Sequence, residues 1–368
     1  MVYEKEVQQE LWPRISVRAE LSVGFSFVAQ SPYEVPRVTS VLPVPRRRCS
    51  HRGRLGFGRL FQRSGIRVGV CCGILRTAGV RDQLRSRDDL RFAAAAHRVF
   101  ERTRHRSLIE IGAGDRIVGR AYSDNPPTAE TADVFNKIPS LSDTFPSMEQ
   151  VLDVDPDFVV GGMTSAFNEK QGRSRDAFGE RGINTFLFSE YCGTGFPPDI
   201  GLLENDYTQL GRVLGVEDSA REVAEEISDG LDSVRASVGD AAPVPTFFYD
   251  SGDQVPTTIG GVGVGQLVAE YSGVSNIFAE GTKPYIDASW EAVAERAPQA
   301  IVVIDYGDKT AEQKIDFLRA QPLMATTPAV QQNRFVVVPL ADLFESSRLV
   351  RSAQTIATAF HPGADAAK

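Results

Sequence analysis

Ser147-Met-Glu-Gln-Val151, four residues, then Pro156-Asp-Phe-Val-Val160 is the first half of a repeated pattern. Ser289-Trp-Glu-Ala-Val293, four residues, then Pro298-Gln-Ala-Ile-Val302 is the second half, 142 positions later. The shared text is S-x-E-x-V-x4-P-x2-[VI]-V. A serine ahead of an apolar-periodic stretch reads as a helix N-cap, because its hydroxyl accepts a bond from a first-turn N–H that has no helical partner. Glu149 and Glu291 fall in that first turn, where the helix dipole favours an anion. The short apolar runs after Pro156 and Pro298 read as buried strands. Capping grammar alone explains Ser-x-Glu, but not the shared proline and strand spacing. The repeat therefore predicts two equivalent helix–strand units, one in each half of the chain.

The text between the copies is of another kind. From Ile200 to Val238 there is almost no strand signal. Apolar residues recur at Leu203, Tyr207, Leu210 and Leu214, then at Ala220, Val223, Ile227, Leu231, Val234 and Val238. Gaps of three and four define one helical face, and Gly215 marks a turn within it. A long acidic helical segment between two α/β regions reads as a rigid connector, with an ordinary surface helix of a single domain as the alternative. On either side, helices alternate with short apolar strands such as Ile183-Asn-Thr-Phe-Leu-Phe188, Val244-Pro-Thr-Phe-Phe-Tyr249 and Arg334-Phe-Val-Val-Val338. That alternation predicts parallel sheets of an α/β protein.

The chain has 368 residues and a net charge of −8, but the charge is unevenly spread. Residues 1–105 carry 20 Lys and Arg against 9 Asp and Glu, a balance of +11, and the remainder stands at −19. All but Lys5 of those basic residues are Arg, and Cys49, Cys71, Cys72, His51, His97 and His105 lie in the same stretch. No sustained helical or strand period runs through it. It reads as a non-native or mistranslated leader, with a disordered basic tail or a real domain as alternatives. Arg-rich text such as residues 45–54 lacks the fold context of a nucleic-acid arm, so no nucleic-acid partner is expected. No signal sequence is readable, and no apolar run approaches the roughly 18–20 residues of a membrane helix. The expected division is a leader at 1–106, an N-terminal lobe at 107–203, a connecting helix at 204–239 and a C-terminal lobe at 240–368. The segment 98–106 does not read as a buried strand, so the N-terminal lobe is expected to lack its first strand.

Residues 147–162, the connector and residues 289–303, with Gly112-Ala-Gly-Asp-Arg-Ile-Val-Gly119 and Asn333-Arg-Phe-Val-Val-Val-Pro339, resemble the helical-backbone periplasmic binding proteins. These class III proteins deliver ferric siderophores, haem or cobalamin to ABC importers. The resemblance covers about residues 107–362. It implies two Rossmann-like lobes bridged by one long helix, with the ligand in the cleft between them. It also implies an extracytoplasmic place at the cell surface or in the periplasm, through a lipid anchor in many members. The expected partners are a small metal chelate and an ABC permease dimer, and the protein is expected to be a monomer. Glu149 and Glu291 are, by the same resemblance, the residues that meet arginines on the permease.

Catalytic chemistry finds little purchase. Gly260-Gly-Val-Gly-Val-Gly265 fits neither dinucleotide nor P-loop grammar, and a close backbone approach or a helix start explains it better. His361 is the one histidine beyond residue 105, which is too few for a protein-held metal site. Cys192 is the one thiol there, so no disulfide forms within the coherent region. No cofactor is expected, since the chelate brings its own metal. An anionic or polyoxygenated chelate is met by Arg forks and by flat aromatic rings with a polar edge. Candidates at strand ends and loops are Arg120, Tyr122, Phe167, Arg173, Tyr191, Tyr249, Asp250, Tyr285 and Arg348. Arg348 is expected to supply a charge-assisted contact, and Tyr122 and Tyr249 to face the cleft from opposite lobes. The alternative is an enzyme on a two-lobed α/β scaffold, an oxidoreductase or a chelatase. Fold alone does not separate the two.

Overall fold

The repeat emerges in three dimensions as two copies of the same local device. In a computed structural model, which describes residues 99–102, 105–121, 127–191 and 198–363, Ser147 caps helix α3 (Met148–Leu152) and Ser289 caps α8 (Trp290–Glu295). Each serine hydroxyl accepts from the N–H three residues on, at 3.2 Å in both copies. Gln150 also reaches back to the Ser147 N–H, closing a capping box. Each helix then hands over to a strand, β4 (Phe158–Gly161) or β10 (Ala300–Asp305). The handover turns on the residue before proline. Asp155 and Ala297 have φ of 47° and 45°, left-handed conformations in both copies. A residue before proline is disfavoured in the right-handed helical region, and the left-handed one costs a side chain about 1–2 kcal/mol. The same strained corner at the same repeat position ties the two units together more firmly than their sequence identity does.

Around β4, the N-terminal sheet contains β1 (Val99–Arg102), β2 (Ile117–Ala121), β3 (Ser140–Ser142) and β5 (Asn184–Leu187) in the order β3-β2-β1-β4-β5, all parallel. Around β10, the C-terminal sheet contains β6 (Val244–Tyr249), β8 (Val274–Asn276) and β11 (Phe335–Pro339) in the order β11-β10-β6-β8, again all parallel. Read from the other edge, β8-β6-β10-β11 matches β2-β1-β4-β5 strand for strand. A two-stranded antiparallel ribbon, β7 (Thr257–Ile259) with β9 (Tyr285–Asp287), is added to the second lobe.

Two expectations need correction. The N-terminal lobe does have its first strand. Val99–Arg102 is the middle strand of the sheet, with Glu101 opposite Arg120 on one side and Val160 on the other. Two flanking ladders impose extended backbone on text whose own pattern does not ask for it. The connector is also two helices rather than one. Helix α5 (Ile200–Leu214) ends at Gly215, and α6 (Glu217–Val238) follows, about 33 Å long. Their buried faces are those of the predicted stripe, Leu203, Tyr207, Leu210 and Leu214 followed by Ala220, Ile227, Leu231 and Val234. Helix α11 (Arg348–Phe360) packs along α6, and Gly230 lets Val350 approach. One continuous apolar core includes Phe158 and Phe186 of the first sheet, the α5–α6 stripe, and Phe248, Val302 and Val338 of the second. No helix among the described residues is long and apolar enough to cross a membrane. Of the leader expected at 1–106, residues 1–98 lie outside the described residues, as do Tyr122 and Cys192, while 99–102 and 105–106 fall in β1 and in a helix of the N-terminal lobe.

Candidate functional site

In open parallel sheets, ligands sit beyond the carboxyl ends of the strands. In the N-terminal lobe those ends carry four of the described candidates. Arg120, on β2, lays its guanidinium over the Phe135 ring at 3.9 Å. Phe167 closes a 3₁₀ turn after β4 (Thr164–Phe167) and meets Phe178 edge-on at 6.1 Å, with the Arg175 guanidinium 5.7 Å from its own centroid. Tyr191 ends the 3₁₀ turn Ser189–Tyr191 after β5, where its carbonyl accepts the Thr164 hydroxyl at 3.3 Å. Arg173 is turned inward and is only 3 % exposed. It donates to the Ala166 carbonyl at 3.0 Å and to Gln171, and burial pulls its pKa down. This guanidinium staples a loop, so its expected place in the cleft gives way to a structural one.

Tyr249, expected in the cleft, is likewise taken into the interior. Its ring stacks on Phe317 at 6.2 Å, lies 5.8 Å from Trp290, and is 1 % exposed in an aromatic core with Phe247. Its hydroxyl reaches the Gly252 carbonyl at 3.4 Å, and burial raises its pKa. The alternation of β6 sends residue 249 to the same face as Phe247, away from the other lobe. Asp250 is buried too, and takes the Tyr306 hydroxyl at 2.5 Å and the Ser251 hydroxyl at 2.8 Å. Its own carbonyl accepts the buried Lys314 ammonium at 2.8 Å, and that ammonium also binds the Ile304 carbonyl at 2.6 Å. Burial raises the Asp250 pKa and lowers that of Lys314. The group ties the ends of β6 and β10 together. Tyr285, on β9, is half-buried against the main core. Arg348, at the start of α11, pairs with Asp342, whose carboxylate also takes Arg351 at 2.5 Å. Burial lowers the Arg348 pKa. The structure thus holds Arg348 as one arm of an internal ion triad, and its expected charge-assisted ligand contact is replaced by Asp342. Glu149 and Glu291 are both exposed, each at the start of a helix that begins beyond the strand ends of its sheet.

The seam between the lobes joins Tyr207 of the predicted stripe to polar residues the sequence reading passed over. Asp206 of α5 is 2 % exposed, and its carboxylate accepts the Ser189 N–H and the Ser189 hydroxyl, each at 2.7 Å. Tyr207, the next residue, donates to the Glu345 carbonyl at 3.2 Å, and Ser107 of α1 (His105–Glu110) donates to the same oxygen. Glu110 accepts the Ser347 N–H at 3.1 Å and the Ser347 hydroxyl at 2.7 Å. A narrow crevice of about 30 Å³ lies between Ser189, Glu190, Asp199, Asp206, Val264 and Glu345. The missed signal was local. Asp206 stands three residues after Leu203, inside the buried stripe, where a carboxylate is out of place unless it is bonded. Among the described residues no group of three or more His, Cys, Asp and Glu is placed to hold a metal ion.

Burial pushes the Asp206 pKa up to about 7, against the bonds from Ser189 and with the help of the Glu345 charge. A carboxyl whose folded pKa lies above its unfolded value contributes stability that is complete below about pH 4 and is lost as pH rises through 7. Three units correspond to at most about 4 kcal/mol. Asp206→Asn keeps an acceptor for the Ser189 N–H and removes the titration. Urea unfolding at pH 5 and pH 8 is expected to show a smaller difference in the variant than in the parent. An equal difference in the two proteins would remove Asp206 as its source.

A vitamin B12-binding protein of Yersinia pestis (strain Pestoides F) is 27% identical over 196 residues, 52% of this chain and 63% of that protein. The chain thus spans less than two thirds of the length of the curated relatives it matches. Among solved structures, a periplasmic binding protein from Veillonella parvula superposes with a TM-score of 0.66 at 23% identity, covering 72% of this chain and 92% of that one. The apo periplasmic heme-binding protein RhuT from Roseiflexus sp. RS-1 gives 0.60 at 19% identity, covering 73% and 100%. At these identities the likeness is one of fold. The family model described as periplasmic binding protein matches residues 99–340, from β1 to the end of β11, and the chain belongs to that family.

Proposed function

We propose that this chain is the solute-binding component of an ABC importer. It captures a metal chelate between its lobes and delivers it to a membrane permease dimer, outside the cytoplasm. The reading rests on one observation above all: two sheets of matching strand order, each with an exposed glutamate at the same position of the repeat, Glu149 and Glu291. Two separated charges on two lobes fix orientation as well as attraction when a two-fold partner docks. The names of the similar proteins, which bind vitamin B12 or heme, support a flat or compact chelate as cargo. The proposed cargo is a ferric siderophore, haem or cobalamin, met by Arg120, Tyr122, Phe167, Tyr191 and Tyr285. In this reading the protein acts as a monomer, binds without catalysing, and is held at the cell surface by a lipid anchor or is free in the periplasm.

Absorbance titration with haemin, cyanocobalamin and a ferric hydroxamate tests the proposal. One of the three is expected to bind at one per chain with a Kd below about 1 μM. Failure of all three at about a hundred-fold higher concentration would sink the metal-chelate reading.

A further inference from the structure

Helix α7 (Gly263–Tyr271) opens without a cap of its own, because Val262 offers no side-chain acceptor. The N–H of its second residue, Val264, instead donates to the Glu190 carboxylate at 3.1 Å, and Glu190 comes from the other lobe, on the turn after β5. The approach is close. A Cβ on Gly263, whose φ is +79°, would overlap the Glu190 carboxylate. The turn that carries Glu190 is itself anchored, since Ser189 is held through both its N–H and its hydroxyl by Asp206. One residue further along α5, Tyr207 holds the Glu345 carbonyl of the C-terminal lobe. Adjacent side chains of one helix thus grip one lobe each. From that same carbonyl the seam continues through Ser107 and Glu110 to Ser347.

We propose that Glu190 is the catch of an inter-lobe latch, capping α7 across the seam and, with Asp206 and Tyr207 as its mounting, setting how far the two lobes separate. The physics suits the task. A carboxylate on a helix N-terminus is a charge-assisted bond aligned with the dipole, and it is made only when the lobes are together. It breaks as one unit when they part, leaving α7 without a cap. The latch belongs to the protein rather than to the cargo and holds whatever the ligand is, so its test uses ligand-free protein.

Amide hydrogen exchange and small-angle scattering on the full chain read it out. In Glu190→Ala, exchange over residues 264–267 and 345–347 is expected to rise about ten-fold or more, with a larger radius of gyration. Exchange in the distant helix α9 (Ala311–Ala320) is expected to stay as it was. Glu190→Gln keeps an oxygen acceptor and is expected to change exchange by less than about three-fold. It also serves if the alanine variant does not fold: a Gln variant that loosens both segments about ten-fold would overturn the role given to the acceptor. Gly263→Ala attacks the same contact from the other lobe. The double variant Glu190→Ala/Gly263→Ala is expected to exchange no faster than the more severe single variant. Multiplying effects would overturn the coupling. Faster exchange confined to residues 264–267, with residues 345–347 and the radius unchanged, would make Glu190 a local cap and end the latch.

Discussion

Replacing Glu149 and Glu291 together with alanine is expected to cut delivery of cargo by a reconstituted importer about ten-fold or more, while ligand affinity stays within about two-fold. Both carboxylates are exposed, and neither lines the crevice at the lobe seam. The nearest bond of Glu149 is a 3.5 Å contact from the Ser147 hydroxyl, so little in the fold depends on it. Single changes are expected to be milder, because Asp153 and Glu295 stand four residues further on, one turn along the same short helices, and share the field. The competing account gives the two glutamates to helix capping alone, worth a few tenths to about 1 kcal/mol each. That account predicts a lower melting temperature with unimpaired delivery. Measuring melting, ligand affinity and transport on one double variant separates the two. Unimpaired transport, or a loss of ligand binding, would end the docking role.

Gly261→Ala is expected to be among the most damaging single substitutions in the C-terminal lobe. Gly260 and Gly261 donate to the Pro284 and Gly281 carbonyls at 2.9 and 2.8 Å, which brings two backbones side by side. A Cβ on Gly261 would overlap the Ala279 carbonyl oxygen, and one on Gly260 that of Lys283. Both obstacles are main chain, so no side chain can swing aside, and the segment from 279 to 284 has to move. The expected cost is about 3 kcal/mol or more, lowering Tm by about 6 °C or more. Gly179→Ala is the control. It lies in helix α4 (Arg175–Gly179) with nothing within 4 Å of the added carbon, and it is expected to be neutral or slightly stabilising. A Gly261→Ala protein within about 1 kcal/mol of the parent would show that the segment from 279 to 284 yields easily.

This glycine run also shows what the sequence made legible. Close backbone approach is a property of the glycines themselves, and it was read without knowing what approached. The repeat was legible for a similar reason: a capping serine, a proline and an apolar run are each local, and their order survives 142 residues of intervening text. Strand β6 came out residue for residue because its apolar run stands between Pro243 and Asp250. What stayed hidden depended on distant partners. Val99–Arg102 is a strand because β2 and β4 pair with it, and its own charged text argues otherwise. Tyr249 and Arg173 have the chemistry of ligand contacts, but one is drawn into the cluster of Trp290 and Phe317 and the other into a loop staple. Residue type suggests chemistry, and only the alternation of a strand within a finished sheet decides which face receives it. Glu190 was passed over because its partner lies 74 residues away in the other lobe.

The apolar core that runs unbroken from the first sheet through α5 and α6 to the second has a thermodynamic consequence. Each lobe has a smaller apolar cluster of its own, but the largest core is shared between them. Leu210, Leu231 and Ile356 belong to one packing unit, so removing one lobe would leave the other with a bare hydrophobic wall. The two halves are repeats in topology and are expected to melt as a single unit. Denaturation should trace one transition by every probe, with calorimetric and van't Hoff enthalpies that agree. A halved gene that encodes either lobe should yield insoluble protein, even though each lobe looks like a domain. A symmetric pair of sheets with a shared interior is thus expected to behave as one cooperative object.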